Sequence, residues 1–202
     1  TPDGVAAAAA WAERLLGGSW EITRRTLFTR DCVFSDATLY PVSLAHAWWL
    51  AEEKNSLKDW LPEAAEALAT DEANVRRMLA EKDEALALVQ ALPARLANPP
   101  PALRPAAVAD LAARIDVFIR YVRGFRVVGH ALVLTRALLD HPAGAFAAEL
   151  CALRPAAMQA VLDEAAAMDA FAAATDCAHV VYTLLSGERL RALHADLAER
   201  AA

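Results

Sequence analysis

The stretch from Pro105 to about Leu139 constrains this chain more than any other. Val108, Leu111, Ile115, Phe118, Val122, Phe125, Leu132 and Leu139 fall on steps of three and four and their sums. That is the period of one buried stripe on a helix. Pro105 suits a first helical turn, where no backbone N–H is needed. Asp140-His141-Pro142 supplies a stop, because the residue before a proline is pushed out of helical geometry. At about 1.5 Å per residue such a helix spans roughly 50 Å, longer than most domains are wide. Other helices must therefore lie along it.

The 202 residues are 57% hydrophobic, enough for a sizeable core. Much of that content is alanine, which favours helix but buries little area, so helices should pack closely. Runs of valine, isoleucine or threonine are scarce, so an all-α fold with almost no β-structure is expected. The net charge is −6, and Arg24-Arg25 and Arg76-Arg77 are isolated basic pairs. Nucleic-acid binding is disfavoured on electrostatic grounds. No uninterrupted apolar run reaches the ~20 residues that span a bilayer, and Arg120, Arg123, Arg126 and Arg136 interrupt the long helix. No membrane partner is expected.

Cys32, Cys151 and Cys177 are far apart and odd in number, with no Cys-x-x-Cys pair. Buried free thiols and a reducing, cytoplasmic compartment are the expectation. The chain opens on Thr1 with no signal-like segment. A domain of a longer chain is favoured over a processed protein, because no site in it looks self-sufficient.

Taken in order, a first helix runs from Pro2 to about Leu16 and stops at Gly17-Gly18. Ser19 caps a second, ending near Cys32, and Pro41 opens a third through Trp48 to about Glu53. Pro62 or Thr70 starts the next helix, with Thr70-Asp71-Glu72 a good start signal, and its stripe is Val75, Leu79, Leu86 and Val89, flanked by Met78 and Leu88. Its charge run, Glu81 to Glu84, reads as a solvated face with (i, i+4) pairs. Pro93 is placed to kink it, and it should end before Asn98-Pro99-Pro100-Pro101. Three prolines make a stiff bend rather than a floppy linker. The chain therefore reads as a single domain, 1–202, with a possible sub-boundary at 98–104. Its architecture is a helical bundle with a long antiparallel pair, about 71–97 and 105–139, and shorter helices packed around it. Gly124 and Gly129 mark either a close crossing or a local kink. Beyond His141-Pro142, helices are predicted over 143–153, 155–173, 175–185 and 188–201, with Pro155 in a first turn and Thr175 and Ser186 as caps.

Chemical motifs are few. The five histidines, His46, His130, His141, His179 and His194, include no paired Glu-x-x-His and no His-Glu-x-x-His. His46, His130 and His141 are a conceivable metal set, but His130 and His141 stand about 16 Å apart if one helix carries both. No metal or other cofactor is expected. Phosphate-binding glycine loops and the Gly-x-Ser-x-Gly elbow are absent. Adjacent acids such as Glu52-Glu53 and Asp163-Glu164 point to different helix faces and read as solvated.

The most unusual local feature is aromatic. Trp48 and Trp49 are neighbours, Tyr40 precedes them, Trp60 follows, and His46 is close by. Adjacent helical tryptophans differ by about 100° in direction. Either both are buried between different helices, or one faces the core and the other lines a groove. Flat rings beside polar groups suit a sugar or a partner surface. Tyr40, His46, Trp48, Trp49 and Trp60 are thus the candidate contact surface.

The segment from Leu44 to Asn55, Leu-Ala-His-Ala-Trp-Trp-Leu-Ala-Glu-Glu-Lys-Asn, resembles the aromatic helix of helical domains that follow the TIM barrel in some glycoside hydrolases. Asn74 to Ala85, followed by the proline break and a long helix containing Tyr121, is similar to their later helices. The resemblance spans about Trp11 to Leu139. It implies an accessory role, bracing a barrel or walling a carbohydrate groove. That family's catalytic acids lie on the barrel, so no catalytic residue carries over and this chain is not expected to be catalytic. The first expectation is a non-catalytic accessory or interaction domain of a larger, carbohydrate-active hydrolase, with an adjacent domain and carbohydrate as partners. The alternatives are a self-standing metal-dependent helical enzyme, and a ligand-binding or dimerising bundle with a pocket near Gly124 and Gly129.

Overall fold

A computed structural model of the protein describes residues 2–17, 69–174 and 186–201. Those residues form α1 (Pro2–Leu16), α2 (Glu72–Gln90), α3 (Leu92–Arg95), α4 (Pro105–Asp140), α5 (Gly144–Ala174) and α6 (Gly187–Arg200), with no strand among them. The fold is an all-α bundle. The expected helices at 19–32, 41–53 and 175–185 lie outside the described residues.

Asp71 caps α2, its carboxylate accepting from the Asn74 backbone N–H at 3.0 Å. That bond is the main cause that holds the Asp71 carboxyl below its usual range, with the Asn74 side chain adding to it. Thr70, the other expected start, does something different. Its hydroxyl donates to Asp140 Oδ2 at 2.6 Å, at the far end of α4. The start of α2 is thereby tied to the end of α4, and the two helices run antiparallel. At the opposite end Ala85, Val89 and Leu92 pack with Ile115 and Val122, and Trp11 and Leu15 of α1 close that cluster. The chain leaves α2 at Ala91, makes the single turn α3 around Pro93, and crosses to α4 through Asn98, whose φ is 55°.

The long helix is buried unevenly. Its first half hides one side only, at Ile115 and Val122. From Val127 to Ala137 nearly every residue is buried, because α2, α5 and α6 surround it there. The stripe ends early: Leu139 is 40% exposed. Each arginine that interrupts this helix has an acidic partner. Arg120 pairs with Asp116, Arg123 with Glu164, Arg126 with Asp83 and Arg136 with Asp140.

Two expectations are corrected. The predicted helices 143–153 and 155–173 are one helix, α5, with Pro155 inside it, so the bundle has a third long member rather than only short ones. Proline removes one hydrogen bond to the residue four back, here Cys151, and both Pro155 and Cys151 lie on the exposed side, where water can serve that carbonyl. Packing of α5 on both α4 and α6 supplies the rest of its stability. Cys151 itself is a free, exposed thiol, not a buried one. Cys32 and Cys177 lie outside the described residues. By length and composition α5 is apolar enough to cross a bilayer, yet it carries buried Glu164 paired to α4. Arg154 also reaches from α5 to the Leu197 carbonyl near the end of α6, at 2.9 Å.

Two glycines at helix crossings make opposite predictions. A Cβ on Gly129 would stand 3.5 Å from Lys82 Cγ, an ordinary contact. Gly129→Ala should therefore stabilise the fold by up to ~1 kcal/mol through helix propensity. A Cβ on Gly187 would meet Asp169 Oδ1 and stand 2.7 Å from the Ala165 carbonyl oxygen of α5. Gly187→Ala should destabilise by about 1–3 kcal/mol, the usual range for overpacking. Urea denaturation of both variants checks the pair.

Candidate functional site

Tyr40, His46, Trp48, Trp49 and Trp60 all lie outside the described residues. The site that the structure does show grows from α2. Its buried seam is Val75, Met78, Lys82, Ala85 and Val89, again at steps of three and four. The expected stripe through Leu79 and Leu86 is rotated off this seam, and both side chains are only half-buried. The charge run is not a solvated face either. Glu81 and Lys82 are buried, while Asp83 and Glu84 are exposed.

Lys82 is 2% exposed and holds a core position. Its aliphatic stem lies along Gly129, where α4 has no side chain. Burial lowers its ammonium pKa from 10.5 to about 7; Glu81 opposes that shift and Arg77 adds to it. A charge is costly in such a setting, so the neutral amine competes near neutral pH.

One residue further on, Asp83 leaves the seam and meets α4. Arg126 Nε donates to Asp83 Oδ1 at 2.5 Å. His130, one turn along α4, places Nε2 3.2 Å from the Leu79 carbonyl oxygen and 3.3 Å from Asp83 Oδ1. Both neighbours are acceptors, so Nε2 carries the proton and Nδ1 the lone pair. Burial is the main cause that lowers the His130 pKa; Asp83 opposes it, and Arg126 and Lys82 reinforce it.

These three polar groups border a cavity of about 430 Å³ between α2, α4 and α5. Its remaining walls are Leu79, Val127, Leu134 and Leu153, with Ala156, Ala157 and Ala160 from α5. The origin of the space is local. Helices α2 and α5 both pack on α4, and α5 offers alanines where larger side chains would fill the gap. A second hollow of about 290 Å³ shares Leu79, Asp83 and Leu153 and continues along α2 and α5. There Arg76 forms a two-pronged bridge to Glu149, at 2.7 and 2.6 Å.

Among the described residues no group of three or more histidine, cysteine, aspartate or glutamate side chains could hold a metal. His141 caps the end of α4 and meets Phe146 edge-on, 5.6 Å between ring centres, away from His130. Of the acid pairs, Asp163 accepts from Gln159 on the surface while Glu164 turns inward to Arg123. The neighbours do point apart, but only one is solvated. The chain matches no family model, no curated protein and no solved structure.

The missed signal was present in the sequence. The spacing 75, 78, 82, 85, 89 is as regular as the stripe chosen from leucines, but it requires a lysine in the core. Arg126 and His130 are one turn apart on α4 and flank Gly129, which lies against the Lys82 stem.

Proposed function

We propose that this chain is a ligand-binding helical domain, with its site in the cavity between α2, α4 and α5. One observation carries the reading: an apolar hollow of ligand size with Asp83, Arg126 and His130 gathered on one side. Among the described residues its walls hold no serine, threonine, cysteine or lysine, and binding is the reading these side chains favour over covalent catalysis. The accessory role in a larger carbohydrate-active protein is a separate proposal, supported by the resemblance of the helices alone. A reducing, cytoplasmic setting belongs to the proposal too, since Cys151 is an exposed free thiol.

The test uses Nile red, a neutral dye that brightens in apolar pockets. It should bind the protein saturably, one molecule per chain. Ala156→Phe, at an exposed position on the cavity wall, should weaken dye binding at least about tenfold while stability changes by less than ~0.5 kcal/mol. Absence of saturable binding, or equal binding by the variant, overturns the reading.

A further inference from the structure

We propose that the cavity takes an aliphatic monocarboxylate, with its head on Arg126 and His130 and its chain along Leu79, Leu134 and Leu153. This rests on the cavity being a binding site and specifies what it binds.

A guanidinium has five N–H donors. Among the described residues Arg126 uses only Nε–H, on Asp83. The four N–H of its terminal amino groups are left, at the edge of an otherwise apolar hollow. Two parallel N–H donors in one plane fit the two oxygens of a carboxylate. His130 Nε2 is engaged by Leu79 and Asp83, so its Nδ1 is the atom left for a ligand.

Charge selects among head groups. Arg126 is already balanced by Asp83, so the empty rim is close to neutral. An ammonium head would meet the guanidinium, and a dianion would leave excess charge in a partly desolvated place. A monocarboxylate needs one further proton, and His130 can supply the place for it. A carboxylate oxygen and the bare Nδ1 are both acceptors, so one proton from solvent must come between them. The groups that face His130 are Asp83 and Lys82 from α2 and Arg126 from α4; the α5 residues on the cavity wall are uncharged. Binding should therefore take up one proton per ligand and weaken as pH rises.

Calorimetric titration of the whole chain with octanoate, octanol and octylamine tests this. Octanoate should bind one to one and at least about tenfold more tightly than octanol, with octylamine weakest. Affinity should rise roughly fourfold for each added methylene. Titration in two buffers of different ionisation heat should show one proton taken up. Arg126→Gln should narrow the octanoate-to-octanol ratio to less than about threefold, and Asp83→Asn, which removes the competing carboxylate, should widen it. Equal binding of octanoate and octanol, tightest binding of octylamine, or no proton uptake overturns the carboxylate assignment and leaves the Nile red site standing. Failure of all three ligands and of Nile red removes both.

Discussion

Lys82→Met is expected to raise the free energy of unfolding by roughly 3 kcal/mol at pH 7, with the gain shrinking to under about 1 kcal/mol at pH 10. The reason is the position of the charge. In the unfolded chain Lys82 has an ordinary ammonium, while in the fold burial holds its pKa at about 7 rather than 10.5. Between those values the unfolded state binds the proton and the folded state does not. Stability must then rise with pH across that window, by about 1.4 kcal/mol per pH unit for one fully linked proton. Below pH 7 both states are protonated and the full cost of burying the ammonium is present. Methionine keeps the unbranched stem that lies on Gly129 and removes the titrating head, so the cost vanishes at low pH and there is little left to gain at high pH. Relaxation around the ammonium and the attraction of Glu81 hold the expected gain below the limiting value. Urea denaturation at pH 6, 7, 8.5 and 10 measures both the size and the slope. A gain independent of pH would mean that Lys82 is protonated in the fold throughout, and that better packing alone explains the variant.

How much was legible in the sequence follows from the same residue. The long helix, its Pro105 start, its antiparallel partner, the triple-proline bend and the Ser186 cap could all be read directly, because periodicity and capping are local signals. Pro155 misled for a physical reason. Proline ends an isolated helix, but packing of α5 against α4 and α6 outweighs one lost hydrogen bond on the exposed side. The site was hidden by the assumption that charge means surface. With Lys82 assigned to solvent, the seam of α2 runs through Leu79 and Leu86, about 60° around the helix from its true course. Asp83 belongs to the same charge run read as solvated, so its meeting with Arg126 and His130 is hidden by the same assumption. The cavity could not be read at all, since it depends on which faces of α2 and α5 flank α4. The aromatic cluster around Trp48 remains the stronger signal in sequence alone, and it lies outside the described residues.

The other large effect is expected between α4 and α5. Arg123→Met should cost about 3 kcal/mol, whereas Glu164→Gln should cost nearer 1 kcal/mol. Glu164 is only 5% exposed, and it accepts from Arg123 Nε at 2.7 Å and from the second terminal nitrogen at 3.1 Å. Arg123 is 35% exposed, so its head still reaches water. Removing the arginine strands a buried carboxylate, and removing the carboxylate strands nothing of the kind. The asymmetry is thus a direct consequence of burial, and a surface ion pair would not show it. Replacing both partners by leucine should recover most of the loss, because desolvation disappears together with attraction. Nearby Arg120 cannot compensate, as it pairs with Asp116 and lies over the Phe171 ring at 4.6 Å. A double-mutant cycle in urea should give a coupling of about 2 kcal/mol or more. Equal and additive single losses would instead place the pair in solvent-like surroundings, and the packing of α5 on α4 would then have to rest on Val161, Ala165 and Met168 without an ionic contribution.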